Sequence, residues 1–191
     1  LGIVLHNFSK FDEAETSYKK AIKLKSDYAE AHYNLGNTLL ALKKFDEAEI
    51  SYKKAIEIKP EYAEAYYNLG ITLLNHDKLD ESEKNLKKAA TIQKSYIDQI
   101  FNSAEKLFNL KRLKQAEILF KITIEFQPNL SLAYGRLGII YFEAGKLKEA
   151  EANYIKAIKL KPDYTEAHYG LGIIYHEQKL YKNSAKHFLL A

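Results

Sequence analysis

The chain has 191 residues, of which 47% are apolar and 28% charged, so it can bury a core and is no disordered tail. Its 29 basic and 25 acidic side chains leave a formal charge of +4, too mild to mark a nucleic-acid binder. The lack of cysteine removes disulfides, thiolate metal sites and a cysteine nucleophile.

Apolar residues recur at three- and four-residue spacing in successive stretches, the pattern of amphipathic helices rather than strands. In chain order the spacing predicts part of a helix over 1–8 and a complete one over 12–25. Pairs follow over 30–42 and 46–59, 64–76 and 80–93, 98–110 and 114–127, and 132–144 and 148–161. The last pair begins at 166 and at 182. Pro60, Pro128 and Pro162, each lacking an N–H, stop second helices. Asp27, Glu61, Ser95, Asn129 and Asp163 stand where N-caps of first helices are expected, with Glu30, Glu64, Asp98 and Glu166 completing capping boxes.

The pairs are copies of one another at an offset of 34 residues. Full units cover 29–62, 63–96, 97–130 and 131–164, and partial ones cover 1–28 and 165–191. With position 1 set at Ala29, position 8 reads Gly2, Gly36, Gly70, Ala104, Gly138 and Gly172. A helical glycine costs about 1 kcal/mol relative to alanine, so its recurrence calls for two backbones in close approach. The chain contains no methionine and starts and stops inside helices, so it is expected to be a fragment of a longer protein.

Leu137-Gly138, Tyr141, Ala150, Tyr154, Ala157 and Pro162 follow the pattern of the tetratricopeptide repeat, and the chain resembles that family from end to end. His32, Tyr66, Ile100, Tyr134 and His168 stand where the family favours tryptophan. The unit 97–130 departs most, with Ser103 and Thr123 at the usual Leu and Ala places, and local distortion is expected there. The array is also similar to the repeat domains of O-linked N-acetylglucosamine transferase-like proteins. The resemblance implies an all-α fold, an α-solenoid of stacked antiparallel helix pairs forming a right-handed superhelix with a concave groove. It further implies a non-catalytic scaffold that takes a protein or extended peptide in that groove. The alternative is the substrate-docking arm of a larger glycosyltransferase or sulfotransferase.

By the resemblance, positions 2, 5, 6, 9, 12 and 13 line the groove. Position 5 reads Tyr33, Tyr67, Phe101, Gly135 and Tyr169, an aromatic stripe broken once. Position 6 carries Asn34, Asn68, Asn102 and Arg136, and amides there can pair with a peptide backbone. Asn37 and His176 complete the candidate lining. The gap at Gly135 beside Arg136 is expected to form a selectivity pocket for an anionic or carbonyl group. Seven lining acids against Arg136 hint at a basic ligand, although four of them double as capping-box residues.

No catalytic, cofactor or metal site emerges. No serine sits in a nucleophile elbow, the stretch 138–146 lacks the Ser or Thr of a phosphate loop, and Gly170-Leu171-Gly172 follows no strand. His168 and His176 lie eight residues apart, about two helical turns, too far for paired metal ligands. Lys19-Lys20, Lys53-Lys54 and Lys87-Lys88 read as a solvated outer face, with no nucleic-acid platform. No stretch is apolar enough for membrane insertion, and a cytoplasmic location is expected, with the periplasm left open. Self-association through exposed terminal repeats is expected.

Overall fold

The computed structural model describes every residue from Leu1 to Ala191, and all regular structure in it is helical. Two compact units divide the chain, 1–96 and 97–191. The first holds α1 (Gly2–Asn7), α2 (Phe11–Leu24), α3 (Ala29–Ala41), α4 (Phe45–Ile58), α5 (Ala63–Asn75) and α6 (Leu79–Ile92). The second holds α7 (Tyr96–Asn109), apart from its first residue, with α8 (Leu113–Phe126), α9 (Ser131–Glu143), α10 (Leu147–Leu160), α11 (Thr165–Glu177) and α12 (Tyr181–Phe188). In each unit consecutive helices pack as antiparallel pairs, and each pair stacks on the next, as an α-solenoid requires. No helix is long and apolar enough to cross a membrane.

The recurrent glycine does what its spacing demands. A Cβ on Gly36 would lie 2.6 Å from the Tyr52 ring, on Gly70 2.6 Å from Leu86 Cγ, on Gly138 2.5 Å from the Tyr154 ring and on Gly172 2.6 Å from the Phe188 ring. The large position-24 side chain of each second helix therefore rests on the bare backbone of the first. Serine at position 20 uses the same proximity, since Ser82 Oγ donates to the Gly70 carbonyl at 2.8 Å and Ser184 Oγ to that of Gly172 at 2.9 Å. Tyr52, Leu39, Leu73, Ala48 and Ala14 form the main core of the first unit. Phe120, Leu119, Ile122, Leu137, Leu171 and Ile174 are fully buried in the second.

The expected capping boxes do not form at α3, α5 and α11. These helices and α9 start one residue earlier than the apolar spacing indicates, with Tyr28, Tyr62, Leu130 or Tyr164 as N-cap and no side-chain cap bond, whereas α7 starts at Tyr96, directly after the expected cap Ser95. At α5 and α11 the packing of the Tyr62 and Tyr164 rings on position 5 of the preceding unit, described below, fixes the entry of the chain in place of a side-chain cap. The turn inside each pair carries a second feature. Ser9, Lys43, Asp77, Lys111 and Lys179 all take φ between 56° and 61°, and Gly145 takes 71° at the same repeat position. The unit expected to be distorted keeps both helices. Thr123 is buried in the alanine place, with its hydroxyl donating to the Leu119 carbonyl at 2.8 Å.

Candidate peptide-binding face

The position-5 stripe is built by the loop that follows each pair. Tyr62 enters from the α4–α5 loop and packs its ring 5.0 Å from Tyr33, and Tyr96 packs 4.9 Å from Tyr67. Tyr33 also lies 6.0 Å from Tyr52. Ring pairs at these separations contribute about 0.5–1.5 kcal/mol beyond the area they bury. In the second unit Phe101 meets Phe120 edge-on at 6.0 Å. Burial pushes the phenols of Tyr52, Tyr62 and Tyr154 upward and that of Tyr96 up to about 12, so each remains a neutral donor at physiological pH.

The expected pocket at Gly135 is absent. The gap is taken by Tyr164 from the α10–α11 loop, whose ring carbon Cε1 stands 2.6 Å from where a Cβ on Gly135 would be. Glycine is needed there to admit a ring of this chain, not of a ligand. Arg136 is engaged as well. Its Nε donates to Glu105 Oε1 at 2.9 Å and its Nη2 to Glu105 Oε2 at 3.3 Å, while the guanidinium lies 5.1 Å from the Phe108 ring centre.

The asparagines divide into two groups. Asn37 Oδ1 accepts from Tyr52 Oη at 2.7 Å and from Asn68 Nδ2 at 2.8 Å, and that same Nδ2 approaches Tyr33 Oη at 3.2 Å. Asn37 and Asn68 thus tie α3, α4 and α5 together. The side chains of half-buried Asn34 and exposed Asn102 make no such bonds. His176 is exposed and sets its ring edge-on to Tyr181 at 5.7 Å.

The charge excess among the lining acids also shrinks. Lys59 stands 3.8 Å from Glu30, Gln127 donates to Asp98 at 3.2 Å, and Lys111 lies 3.1 Å from Glu143. Glu166, at the start of α11, makes no ion pair within 4 Å, and its charge acts on Arg136.

A cleft of about 620 Å³ opens on the first-helix face of the second unit. Ile139 and Phe142 of α9, with Tyr169 and Ile173 of α11, form its walls, and Phe188 of α12 closes one side. Glu166 is the one charged side chain in the lining. Its size falls within the range of roughly 300–1,000 Å³ typical of ligand pockets. Tyr169 is 56% exposed there.

A TPR repeat sequence model matches residues 9–43 and 138–179, and two tetratricopeptide repeat models match residues 29–62 and 51–84. Together they span more than half of the chain. The chain belongs to the tetratricopeptide repeat family. Among curated proteins none matches it. Among solved structures, a point mutant of MamA is 17% identical over 67% of this chain and 93% of its own, with a TM-score of 0.58. YrrB, described as a TPR protein with an unusual peptide-binding site, is 22% identical over 89% of this chain and 88% of its own, with a TM-score of 0.51. A MamA fragment from Desulfovibrio magneticus RS-1 is 22% identical over 84% and 91%, with a TM-score of 0.47.

Sequence reasoning about this tetratricopeptide repeat chain missed two sets of residues. Ile139, Phe142 and Ile173 stand at lining positions 9 and 12, and their apolar character was the available signal. The outer face carries a second set, a ladder of ion pairs. Glu15 binds Lys19 at 2.6 Å and Lys44 at 2.8 Å, and Glu49 binds Lys53 at 2.6 Å and Lys78 at 2.9 Å. Lys19 and Lys53 are therefore pinned to structure rather than merely solvated. The Lys19 and Lys44 hydrogen bonds hold the Glu15 carboxyl below the usual carboxylate range.

Proposed function

We propose that this chain is a non-catalytic interaction scaffold that binds an extended segment of a partner protein on the face presented by its first helices. The cleft between α9 and α11 carries this reading. It is concave and mostly apolar, it has one carboxylate at its rim, and it opens on the face where the candidate residues stand. Anchor side chains buried in such a pocket dominate the energy of peptide recognition, and the surrounding contacts mainly exclude water. In the first unit Asn34 is the amide left to pair with a peptide backbone, beside the rings of Tyr33 and Tyr67. In the second, Asn102 has the same role, while Phe101, Gly135 and Arg136 serve as wall.

The test is a peptide selected for binding to the chain from a random library. Ile173→Asp places a charge in the cleft and is expected to weaken that peptide more than tenfold, because a charge buried without a partner costs several kcal/mol. Lys53→Ala, on the outer face, is expected to leave it unchanged. A peptide that responds to Lys53→Ala and ignores changes at Ile173, Asn34 and Asn102 refutes the assignment of the face.

A further inference from the structure

The loops ahead of the first helices repeat one device. In the turn Lys59-Pro60-Glu61-Tyr62 the Tyr62 ring lies 5.0 Å from that of Tyr33. Lys59 Nζ sits 4.3 Å from the centre of the Tyr62 ring and 3.8 Å from the Glu30 carboxylate. An acid at position 2 and a ring at position 5 of one helix thus receive a cation from position 31 and a second ring from position 34. The ring half recurs, since Tyr96 covers Tyr67 at 4.9 Å and Tyr164 fills the seat at Gly135.

The unit 97–130 keeps the receiving half of this device and lacks the other. Asp98 and Phe101 stand on α7 at positions 2 and 5, about one turn apart, the first exposed and the second half-buried. Position 31 is Gln127 and position 34 is Leu130. Gln127 Nε2 donates to Asp98 Oδ1 at 3.2 Å, so a neutral amide meets the carboxylate, which makes no ion pair within 4 Å. The other acid on this face of α7, Glu105, is taken up by Arg136. Phe101 meets Phe120 edge-on at 6.0 Å on its α8 side, and the loop offers leucine in place of a second ring. A hollow of about 380 Å³ opens along this α8–α9 loop, lined by Gln127, Pro128, Asn129 and Leu130, none of them charged.

We infer that this hollow is a seat for an arginine side chain of a partner segment, with the guanidinium flat on the Phe101 ring and donating to Asp98. This rests on the reading of the first-helix face as the binding face and names the side chain it takes. A guanidinium supplies at once what Gln127 and Leu130 lack, a positive charge and a flat, weakly hydrated face that stacks on aromatic rings. Lysine brings the charge without the stacking plane. A phenylalanine or tyrosine covers the ring and leaves the carboxylate without a cation, and an acidic side chain is repelled by Asp98. Asn102, exposed and next to Phe101 in α7, is placed to bond the backbone of the same segment.

The probe is a capped heptapeptide, Gly-Ser-Ser-Arg-Ser-Ser-Gly, titrated at low salt into the isotope-labelled chain and followed by NMR. Saturable shifts are expected at Asp98, Phe101 and residues 127–130. Citrulline in place of arginine keeps the shape without the charge, and both it and Asp98→Asn are expected to raise the dissociation constant about threefold, the effect of one exposed ion pair. Gln127→Lys combined with Leu130→Tyr gives this loop the cation and ring of residues 59 and 62. That double variant is expected to abolish the shifts at Phe101 while keeping or raising the urea midpoint. Should it lower the midpoint, Asp98→Asn and the citrulline peptide, which leave the loop intact, decide the matter. Absence of saturable shifts at tens of millimolar peptide, equal binding of the citrulline peptide, or undiminished binding by a stably folded double variant overturns the inference. A library-selected binder that shifts Asn34 or Ile173 and leaves Phe101 and residues 127–130 unmoved overturns the arginine seat while the scaffold reading stands. Selected binders confined to the outer face overturn both.

Discussion

Gly70→Ala separates the two forces acting on the recurrent glycine. In an unconstrained helix the change stabilises by about 1 kcal/mol through propensity. Here the new methyl would stand 2.6 Å from Leu86 Cγ, 2.8 Å from Cδ2 and 3.3 Å from the Leu86 backbone nitrogen. Cγ is the branch point of a side chain with 0% exposure, so rotation offers no escape and α5 and α6 must part. Overpacking of this kind costs about 1–3 kcal/mol. Ala104, which holds the same position in α7 with no exposure, marks the adjustment as attainable and places the cost below a disruption of the fold. The net expectation is a loss of about 1 kcal/mol, or about 2–4 °C in melting temperature for a chain of this size. Leu86→Ala alone should cost about 2–5 kcal/mol as a cavity-forming change. On the Gly70→Ala background that cost should fall by 1 kcal/mol or more, because the methyl occupies space that the leucine vacates. Urea unfolding followed by helical circular dichroism measures all four proteins of the cycle. A stabilised Gly70→Ala, or strictly additive effects, refutes the close approach of α5 and α6.

Four further outcomes are expected. Glu49→Gln should destabilise by about 0.5–1 kcal/mol at pH 7; burial raises this carboxyl but Lys53 and Lys78 outweigh it and hold it below 4.5, so the difference should be full above that pH and vanish in urea titrations run well below it. Tyr164→Phe removes a buried hydroxyl that has no hydrogen-bond partner and should raise the urea midpoint, gaining about 1 kcal/mol. Lys43→Gly, at φ 60°, should stabilise by about 0.5–1 kcal/mol, and Gly145→Lys should cost as much, because the left-handed region penalises a Cβ. His168 donates from Nε2 to the Pro162 carbonyl at 2.8 Å, so its Nδ1 must accept from His187 Nδ1 at 2.9 Å; burial, then His168 and Lys186, lower the His187 pKa, so stability present above 6.5 should fall as the pH drops, and His187→Gln should flatten that fall in urea midpoints measured between pH 7 and 5.

Much of the fold was legible because a solenoid writes it in periodic form. The offset of 34 residues, the helix-sized apolar stretches and the glycine at position 8 each report contacts within one unit, where sequence neighbours are also spatial neighbours. The N-caps were misread because Glu61 and Asp163 satisfy the capping rule locally, while ring packing by Tyr62 and Tyr164 sets where helices begin. The left-handed turn residue was invisible for a related reason. Lysine holds that conformation at 43, 111 and 179, and glycine, the residue that signals it, appears once in six units. At the candidate site the lining positions came from the family pattern, and their occupancy did not follow from it. Asn37, Asn68 and Arg136 are polar enough to serve a ligand, and only their partners Tyr52, Tyr33 and Glu105 reveal that the fold already uses them.

Those hidden partners share a second period. Lys44 reaches Glu15, Lys78 reaches Glu49 and Gln127 reaches Asp98, each across 29 residues. Tyr62 on Tyr33, Tyr96 on Tyr67 and Tyr164 on Gly135 have the same separation. It links positions 21 and 16 on the outer face and positions 2 and 31, or 5 and 34, on the first-helix face. The two faces therefore carry parallel ladders, each joining one helix to the start of the helix two places along the chain or to the loop before it. On the outer face the ladder is ionic and remains wet, where each pair contributes little alone and networks contribute more. On the first-helix face the links between positions 2 and 31 are polar and exposed, whereas those between 5 and 34 are buried and aromatic and depend on the size of the position-5 side chain. Glycine at 135 accepts a whole tyrosine, and tyrosine at 33 or 67 accepts one stacked against its ring. The break in the stripe is therefore no gap in the ladder, because the ring that position 5 lacks at Gly135 is supplied by Tyr164 from position 34.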